Sequence, residues 1–510
     1  MNSKPNQISD GALRDSLAGG MSLPPPSRRK DCHASAVVFA LTILAALLVV
    51  RGTTHLLYPF AIDAGEGTVL DAAWQGSRGQ NIYGIAGDSP PYFFTIHNPV
   101  LPYLAALMVR IFGPAAWAAR LVALACQAGA ALLICLFVRR ETASRAGGAI
   151  AALFFLVERH TYAGAGYLLP DWPAIFFSLL GLYLWLRGGK GRVWAIVSFA
   201  LAFFSRQASM AAAAAAFVSL FLEGRRAEGI RLFGVFAALL AAGVGICALV
   251  FGKAYLVNTF FYASIAPPEL HRSFGNVAAV LVIYFVPAAA WLFFARKAAV
   301  DRSALLPVTY FVFGLAAVFM SGGAGESSAR FFDFAAGLSI LAGLVWARVE
   351  SKILAGKLSF AVVALIVLQM FLVAIGTTYR LSPLGDRARG DFLHDSAIKE
   401  AFQDVDGVIL TRETGFGFDS RARPFCNDLY ILNQLIESGR LSPEAILAPV
   451  RNREFAMVIM PEQEITRDFF SGDLRAEVHR NYGVTRRECG ELFLVPLTES
   501  PSGNAQPFTP

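Results

Sequence analysis

Charge is scarce in this chain. Asp, Glu, Lys and Arg make up 16% of its 510 residues, against about a quarter in an ordinary soluble protein. Apolar residues reach 55% and the mean hydropathy is +0.52, which excludes a soluble globular domain and points to a polytopic membrane protein. Cysteine is also thin. The six Cys include no CxxC pair, which argues against a structural zinc or a dithiol redox motif. The chain has no GxGxxG, P-loop or Ser-His-Asp pattern to bind a nucleotide or build a hydrolase triad. Its two halves do not repeat, as those of many transporters do, and no stretch reads as an intracellular signalling domain. A net charge of +7 invites nucleic acid as a partner. The basic residues, however, fall in short clusters between apolar runs, which is the positive-inside pattern of membrane topology. No nucleic-acid partner is expected.

What is present is a series of apolar runs. A spanning helix needs about 20 apolar residues, and runs at 34–58, 116–138, 146–157, 170–186, 232–251, 277–294, 305–320, 331–345 and 358–377 supply them. Residues 1–33 are polar, with Pro24-Pro25-Pro26 and Arg28-Arg29-Lys30, and read as a disordered cytoplasmic tail. The run at 34–50 has the look of a signal peptide. It carries no convincing small-residue cleavage site and leads straight into the most informative loop, so it is kept as an uncleaved helix. The stretch 102–112 is short and interrupted by Arg110, as suits a helix lying at the interface.

The stretch 193–222 sets a geometric problem. As one helix it would run about 45 Å, too long for a hydrocarbon core of about 30 Å. Both flanks, 187–192 and 225–231, are basic and so belong on one side. Two short helices with Ser205-Arg206-Gln207 at the turn solve this. An arginine at a bilayer centre costs about 2.5–3.5 kcal/mol on insertion scales, and at a turn far less. About eleven crossings result, with the amino terminus inside and the carboxyl end outside.

From 381 onward charge returns to soluble density. Runs at 404–410, 454–460 and 491–496 read as strands, and 429–436 and 443–450 as helices. This makes 381–498 a small extracytoplasmic α/β domain, followed by a flexible tail at 499–510. Cys426 and Cys489 both fall in it. In an oxidising compartment a disulfide between them is open, since connectivity is not readable from sequence.

The loop 59–103 follows the first apolar run and holds Asp63 and Glu66 three residues apart, with Asp71 one to two turns on. In a helix the first two share a face. Acids just beyond a spanning helix are tolerated where they meet water or a polar cavity. Tyr83 and the segment His97-Asn98-Pro99 complete the loop.

In order and topology these motifs resemble the C-type (GT-C) membrane glycosyltransferases that use polyprenyl-phosphate sugars. That group includes the protein O-mannosyltransferases, the lipid A aminoarabinose transferases and the rhizobial galacturonosyltransferases. The resemblance rests on Asp63-x-x-Glu66-Gly67 after the first helix, Tyr83, and Asn98-Pro99-x-x-Pro102-Tyr103. It also uses Tyr167-Leu168-Leu169-Pro170-Asp171, Ser205-Arg206-Gln207 and Gly325-Glu326 through Arg330-Phe331-Phe332. It covers residues 34–380. Arg206 stands where that family commonly has Lys, and 330–332 lacks its usual Asn.

The resemblance implies a mainly α, GT-C-like fold in a bacterial inner (plasma) membrane. It implies a lipid-phosphate sugar as donor and an envelope glycan such as lipopolysaccharide, a lipid or a protein as acceptor, with membrane lipid as surroundings. It fixes no cofactor and leaves room for a divalent cation. An acceptor hydroxyl must lose a proton as it attacks, and Asp63 is the candidate base; its bland alternative is a helix cap or a solvated loop acid. Glu66 is read as a support for Asp63, with a metal ligand or helix cap as alternatives. Asp171 is read as an acceptor contact or an N-cap. The leaving phosphate calls for a guanidinium, and Arg206 and Arg330 are the candidates, set against headgroup snorkelling. Tyr83, His97 and Glu326 join them as substrate-binding candidates, although a lone loop histidine is more often only solvated. Tyr92, Phe93, Phe94 and Tyr103 read as an interfacial aromatic belt or as stacking platforms. The competing reading is a transporter or flippase of a lipid-linked sugar, which leaves the acid-bearing loop and the outer domain without a purpose.

Overall fold

The computed structural model describes residues 28–62, 64–83, 90–262, 270–284, 305–320, 331–352, 386–412, 414–418, 420–462 and 472–497. Most of them are helical. Apart from single turns at Arg159–Ala163 and Lys253–Leu256, the helices of the apolar part are α1 (Arg28–Leu57), α2 (Ala64–Ser77), α3 (Val100–Phe112), α4 (Ala116–Thr142), α5 (Arg145–Val157) and α6 (Asp171–Trp185). They continue with α7 (Lys190–Ser205), α8 (Ala211–Leu222), α9 (Arg226–Phe251), α10 (Leu270–Ile283), α11 (Leu305–Phe319) and α12 (Phe331–Lys352). Two of these, α4 and α9, are long and apolar enough to cross a membrane, and six shorter apolar helices accompany them. The crossing expected at 358–377 lies outside the described residues, as does the second half of the one expected at 277–294.

The expected break in the long apolar stretch is present. Helix α7 ends at Ser205, and Arg206 takes extended backbone angles (φ −149°, ψ 121°), so the chain leaves the helix at the one charged residue of the stretch 193–222. The helices pack through a continuous core that includes Trp172, Trp185, Phe199, Phe217, Tyr310 and Phe332. Two ends of this bundle can be told apart. At one end Arg192 meets Glu228 and stacks on Trp185. At the other, Arg206 at the end of α7 meets Asp171 at the start of α6.

Beyond the bundle, α13 (Asp386–Asp404), α14 (Leu429–Glu437), α15 (Glu444–Arg451) and α16 (Gly472–Asn481) surround a five-stranded sheet. The strands are β1 (Val408–Leu410), β2 (Arg423–Pro424), β3 (Met457–Pro461), β4 (Tyr482–Glu488) and β5 (Glu491–Pro496). Their order is β2-β1-β3-β5-β4. β1 runs parallel to β2 and β3, while β5 runs antiparallel to β3 and β4. The apolar runs read as strands from the sequence are β1, β3 and β5. Helix α14 begins where Asp428 accepts from the Ile431 N–H at 3.1 Å, a side-chain N-cap.

Several contacts among the described residues join this sheet unit to the bundle. The Tyr92 N–H donates to the Phe425 carbonyl at 2.8 Å and the Asn427 N–H to the Tyr92 carbonyl at 3.1 Å, so the first loop adds a short extended segment beside the sheet. Tyr92 and Phe94 are buried in the core of the sheet unit. They are therefore not an interfacial belt: their backbone pairs with 425–427, which carries their rings inward. Helix α2 also packs backbone to backbone on the turn 414–417. A Cβ added at Gly67 would lie 2.8 Å from the Gly415 Cα, which accounts for the glycine of the Asp63-x-x-Glu66-Gly67 motif. Finally, the Tyr58 hydroxyl donates to Asp395 at 2.5 Å. The two thiols considered for a disulfide do not meet, since Cys426 is buried and Cys489 is exposed, and both are free.

Candidate active site

Asp63, Glu326 and Arg330 lie outside the described residues. Asp63 is nevertheless bracketed by well-defined neighbours. Glu66, fully buried, accepts two hydrogen bonds from Arg120, at 2.8 Å from Nε and 2.8 Å from Nη2. It also accepts from the Ile62 N–H at 2.7 Å and the Leu168 N–H at 2.9 Å. Arg120, equally buried, donates in addition to the His55, Tyr58 and Phe60 carbonyls. Buried charges are tolerated when paired and hydrogen-bonded in this way. Glu66 thus ties the end of α1, the 59–62 turn, α4 and the 167–168 loop into one knot. Its oxygens are spent on that frame, so it holds neither a substrate nor a metal. Arg120 escaped the sequence reading, although an arginine inside an apolar helix is by default paired and purposeful.

The second acid behaves differently. The N-cap of α6 is Pro170, with no side-chain cap, so Asp171 does not cap. Its carboxylate ion-pairs with Arg206. Together with Asp333 at the start of α12 they line a cavity of about 260 Å³ whose remaining walls include Ile175, Ala317, Met320 and Phe332. The Tyr310 hydroxyl donates to Asp333 at 2.8 Å. Asp333 and Tyr310 were missed by the sequence reading. The signal was available, because Asp333 is an acid at the head of an apolar helix. Arg206 therefore shares this cavity with two carboxylates and several apolar side chains.

The turn that carries Arg206 is anchored by its neighbours. The Gln207 amide donates to the Thr259 carbonyl at 3.1 Å and the Ile96 carbonyl at 3.3 Å. The Asn98 amide donates to the Phe203 carbonyl at 2.7 Å and accepts from the Tyr255 hydroxyl at 2.9 Å. The motif residues Asn98 and Gln207 thus hold the loop 95–98 against the hairpin turn. His97 comes within electrostatic reach of Arg206. Burial first, and that guanidinium second, push its imidazole down to about 4, so it is neutral at physiological pH. Tyr83 sits beneath the same loop. It is buried against Tyr255 and Phe251, and its hydroxyl donates to the His97 carbonyl at 2.6 Å. It holds the loop through that bond and is not among the residues lining the Arg206 cavity.

The divalent cation left open by the sequence finds no fit among the described residues. No group of three His, Cys, Asp or Glu side chains comes together there. Asp171 pairs with a guanidinium, Asp333 accepts from the Tyr310 hydroxyl, and Glu66 is saturated by Arg120 and backbone N–H groups. No chemical step is assigned to a metal.

With its helical hairpin turned at a charged residue and a sheet unit docked at that same end, the chain is similar in fold to membrane glycosyltransferases of the GT-C type. Residues 96–251 match the family described as dolichyl-phosphate-mannose-protein mannosyltransferase. The structure of ArnT from Cupriavidus metallidurans bound to undecaprenyl phosphate superposes with a TM-score of 0.60 at 13% identity, over 89% of this chain and 97% of that one. The apo oligosaccharyltransferase of Archaeoglobus fulgidus gives 0.52 at 16%, over 89% and 73%. AglB of the same organism, in complex with an inhibitory peptide and a dolichol-phosphate, gives 0.50 at 14%, over 90% and 73%. At such identities the likeness is one of fold. An uncharacterized protein of Aquifex aeolicus is 35% identical over 86 residues, which are 17% of this chain and 20% of that relative.

Proposed function

We propose that the protein is a membrane glycosyltransferase that moves a sugar from a polyprenyl-phosphate donor to an acceptor outside the cytoplasm, an envelope glycan, lipid or protein. The observation that carries this reading is the cavity at the hairpin turn. Arg206 offers a bidentate cation to a phosphate, and Ile175, Ala317, Met320 and Phe332 offer an apolar wall to a prenyl chain. A guanidinium beside the leaving phosphate stabilises the charge that develops as the glycosidic bond breaks. The undecaprenyl phosphate and dolichol-phosphate bound to the ArnT and AglB neighbours are ligands of that chemistry.

In this reading Asp63 takes the acceptor proton, and the knot of Glu66 and Arg120 holds the backbone on either side of it. Asp171 keeps Arg206 extended into the cavity. The chain sits in the bacterial inner membrane with about eleven crossings at 34–380, its amino terminus cytoplasmic and the 381–498 unit outside. The test is reconstitution of the full chain in liposomes with a panel of undecaprenyl-phosphate sugars and envelope acceptors. Transfer is expected with one donor and should fall by roughly 10²–10⁴ in Asp63→Asn, the usual worth of a general base. Near-normal transfer by that variant, with a confirmed donor, removes Asp63 from the role.

A further inference from the structure

A second cavity, with none of the lining residues of the Arg206 site, lies between the carboxyl end of α2, the carboxyl end of α13 and the residues just before β2. It is an open groove of about 530 Å³ lined by Trp74, Arg78, Gln403, Asp404, Ser420 and Arg421. The Arg78 guanidinium lies over the Trp74 ring at 5.6 Å, and the edge of that ring rests on Phe418 at 5.7 Å. The Ser420 hydroxyl is already engaged by Lys399 at 2.7 Å and by the Phe416 carbonyl at 2.6 Å, so the wall of the groove is fixed. Arg78 and Arg421 are exposed, and neither forms an ion pair among the described residues. Five other arginines of the sheet unit, Arg412, Arg451, Arg480, Arg486 and Arg487, do reach a carboxylate.

We infer that this groove is a binding subsite for an anionic saccharide, a sugar bearing a phosphate or carboxylate group, and that it holds the part of the acceptor remote from the reacting hydroxyl. Two guanidiniums lining one groove suit a phosphoryl or carboxylate group, which a guanidinium binds bidentately. The Trp74 ring gives the C–H face of a pyranose an apolar platform, and Gln403 and Asp404 can bond its hydroxyls. The lining carries two positive charges against one negative, so a neutral sugar leaves the arginines unmatched. Helix α2 connects the two places. Its first turn follows residue 63, and Trp74 and Arg78 lie roughly 15–20 Å further along at 1.5 Å per residue. That span suits an oligosaccharide or glycolipid headgroup and is too long for a single sugar bridging both. Remote contacts of this kind supply the binding energy that orients the reacting group. The inference rests on the transferase reading for the word acceptor, but the binding claim can be tested without it.

The experiment uses the full chain in detergent and measures binding of mannose 6-phosphate, mannose and inorganic phosphate by saturation-transfer NMR. Nanodiscs containing phosphatidylglycerol serve as competitors. Mannose 6-phosphate should bind at least roughly tenfold more tightly than mannose, more weakly at high salt, and the preference should vanish in R78A/R421A. Both side chains are exposed, so folding should be unaffected. Equal binding of the two sugars, or a preference that survives in R78A/R421A, overturns the inference. Inorganic phosphate binding as tightly as the sugar phosphate reduces the groove to an anion patch, and full competition by phosphatidylglycerol makes it a lipid-headgroup contact. Either result overturns the saccharide claim. In transfer assays R78A/R421A should raise the acceptor KM roughly tenfold and leave kcat and the donor KM unchanged. Transfer with an unmoved acceptor KM defeats the groove and leaves the transferase standing. Sugar-phosphate binding without transfer from any polyprenyl-phosphate donor defeats the transferase and leaves the groove.

Discussion

Two arginines separate what holds the protein together from what it uses. Arg120 and Glu66 are both fully buried and use their hydrogen bonds on each other and on backbone. Removing one partner of such a pair strands a buried charge, at a cost of about 3–5 kcal/mol. Glu66→Ala should therefore lose folded protein, read as a drop in thermal midpoint in detergent. A double replacement by apolar residues of similar volume should recover much of that loss. If Glu66→Ala kept its midpoint and lost only turnover, Glu66 would be a catalytic group after all. Arg206 should answer in the opposite way. It faces a cavity, and charge-assisted bonds to a phosphate are worth about 1.5–3 kcal/mol. Arg206→Ala should thus raise the apparent donor KM by roughly 10–100-fold, and Arg206→Lys should restore part of it because the charge remains. A donor KM unchanged in Arg206→Ala would move the phosphate elsewhere. The sequence pointed to Arg206 and Asp171 because charged residues stand out in apolar surroundings. It could not assign Tyr83, which has the composition of a substrate contact and is turned inward by the His97 carbonyl it bonds.

The broken hairpin α7–α8 was legible because length and charge admit only one solution for the stretch 193–222. Strands β1, β3 and β5 were legible because they are short apolar runs. Strand β4 was not. Its sequence YGVTRRE alternates toward solvent over most of its length, so only its pairing with β5 makes it a strand. Helix α2 was legible only as a spacing of acids, and its docking on 414–417 was not legible at all, since the contact joins residues far apart in sequence. That contact yields a signed prediction. Helix propensity alone favours Gly67→Ala by about 1 kcal/mol. The Gly415 backbone 2.8 Å from the new Cβ reverses this, with a typical overpacking cost of about 1–3 kcal/mol. Gly234 on α9 has nothing within 4 Å of such a Cβ, so Gly234→Ala should stabilise where Gly67→Ala destabilises, in the same thermal assay. A second docking element titrates. His394 on α13 contacts Asp395 at 3.0 Å and Glu491 on β5 at 3.4 Å. Asp395 accepts from Tyr58 at the end of α1, and Glu491 pairs with Arg412. Hydrogen bonds to Asp395 and then Glu491 raise the imidazole to about 10 from its usual 6.5. A raised folded-state value gives stability that is complete below about 6.5 and is lost as pH climbs toward about 10. The thermal midpoint should fall between these limits, and His394→Gln should flatten the slope. Parallel slopes for the two proteins would show that the cluster does not couple to folding.

At the scale of the molecule, the two ends of the bundle decide which side does the chemistry. One end gathers Arg139, Arg140, Arg187, Lys190, Arg192, Arg225, Arg226 and Arg231 at the termini of α4, α6, α7, α8 and α9. The opposite end carries Asp171, Arg206 and Asp333 in one cavity, and the sheet unit docks there through Tyr92 and Gly67. Basic residues at the ends of spanning helices are retained in the cytoplasm. By that rule the proposed transferase has its cavity and sheet unit across the membrane from these basic residues, on the side where the proposed reading places the lipid-phosphate donor. This proposed sidedness is read from the order of charges in the sequence. The sharing of one cavity by α6, α7 and α12 is not, because it requires their packing. The prediction uses single cysteines in a chain whose exposed Cys489 has been replaced by Ser. Ser438→Cys, on the exposed end of α14, should react with a membrane-impermeant maleimide in intact spheroplasts. Lys190→Cys, exposed at the opposite end, should react only after the membrane is opened. Both sites are solvent-facing, so a difference between them reports sidedness and not burial. Labelling of Lys190→Cys in intact spheroplasts with Ser438→Cys protected would invert the protein and turn the Arg206 cavity toward the cytoplasm. Labelling of both from outside would mean that an even number of crossings separates them, and the bundle would have to be counted again from α6 onward.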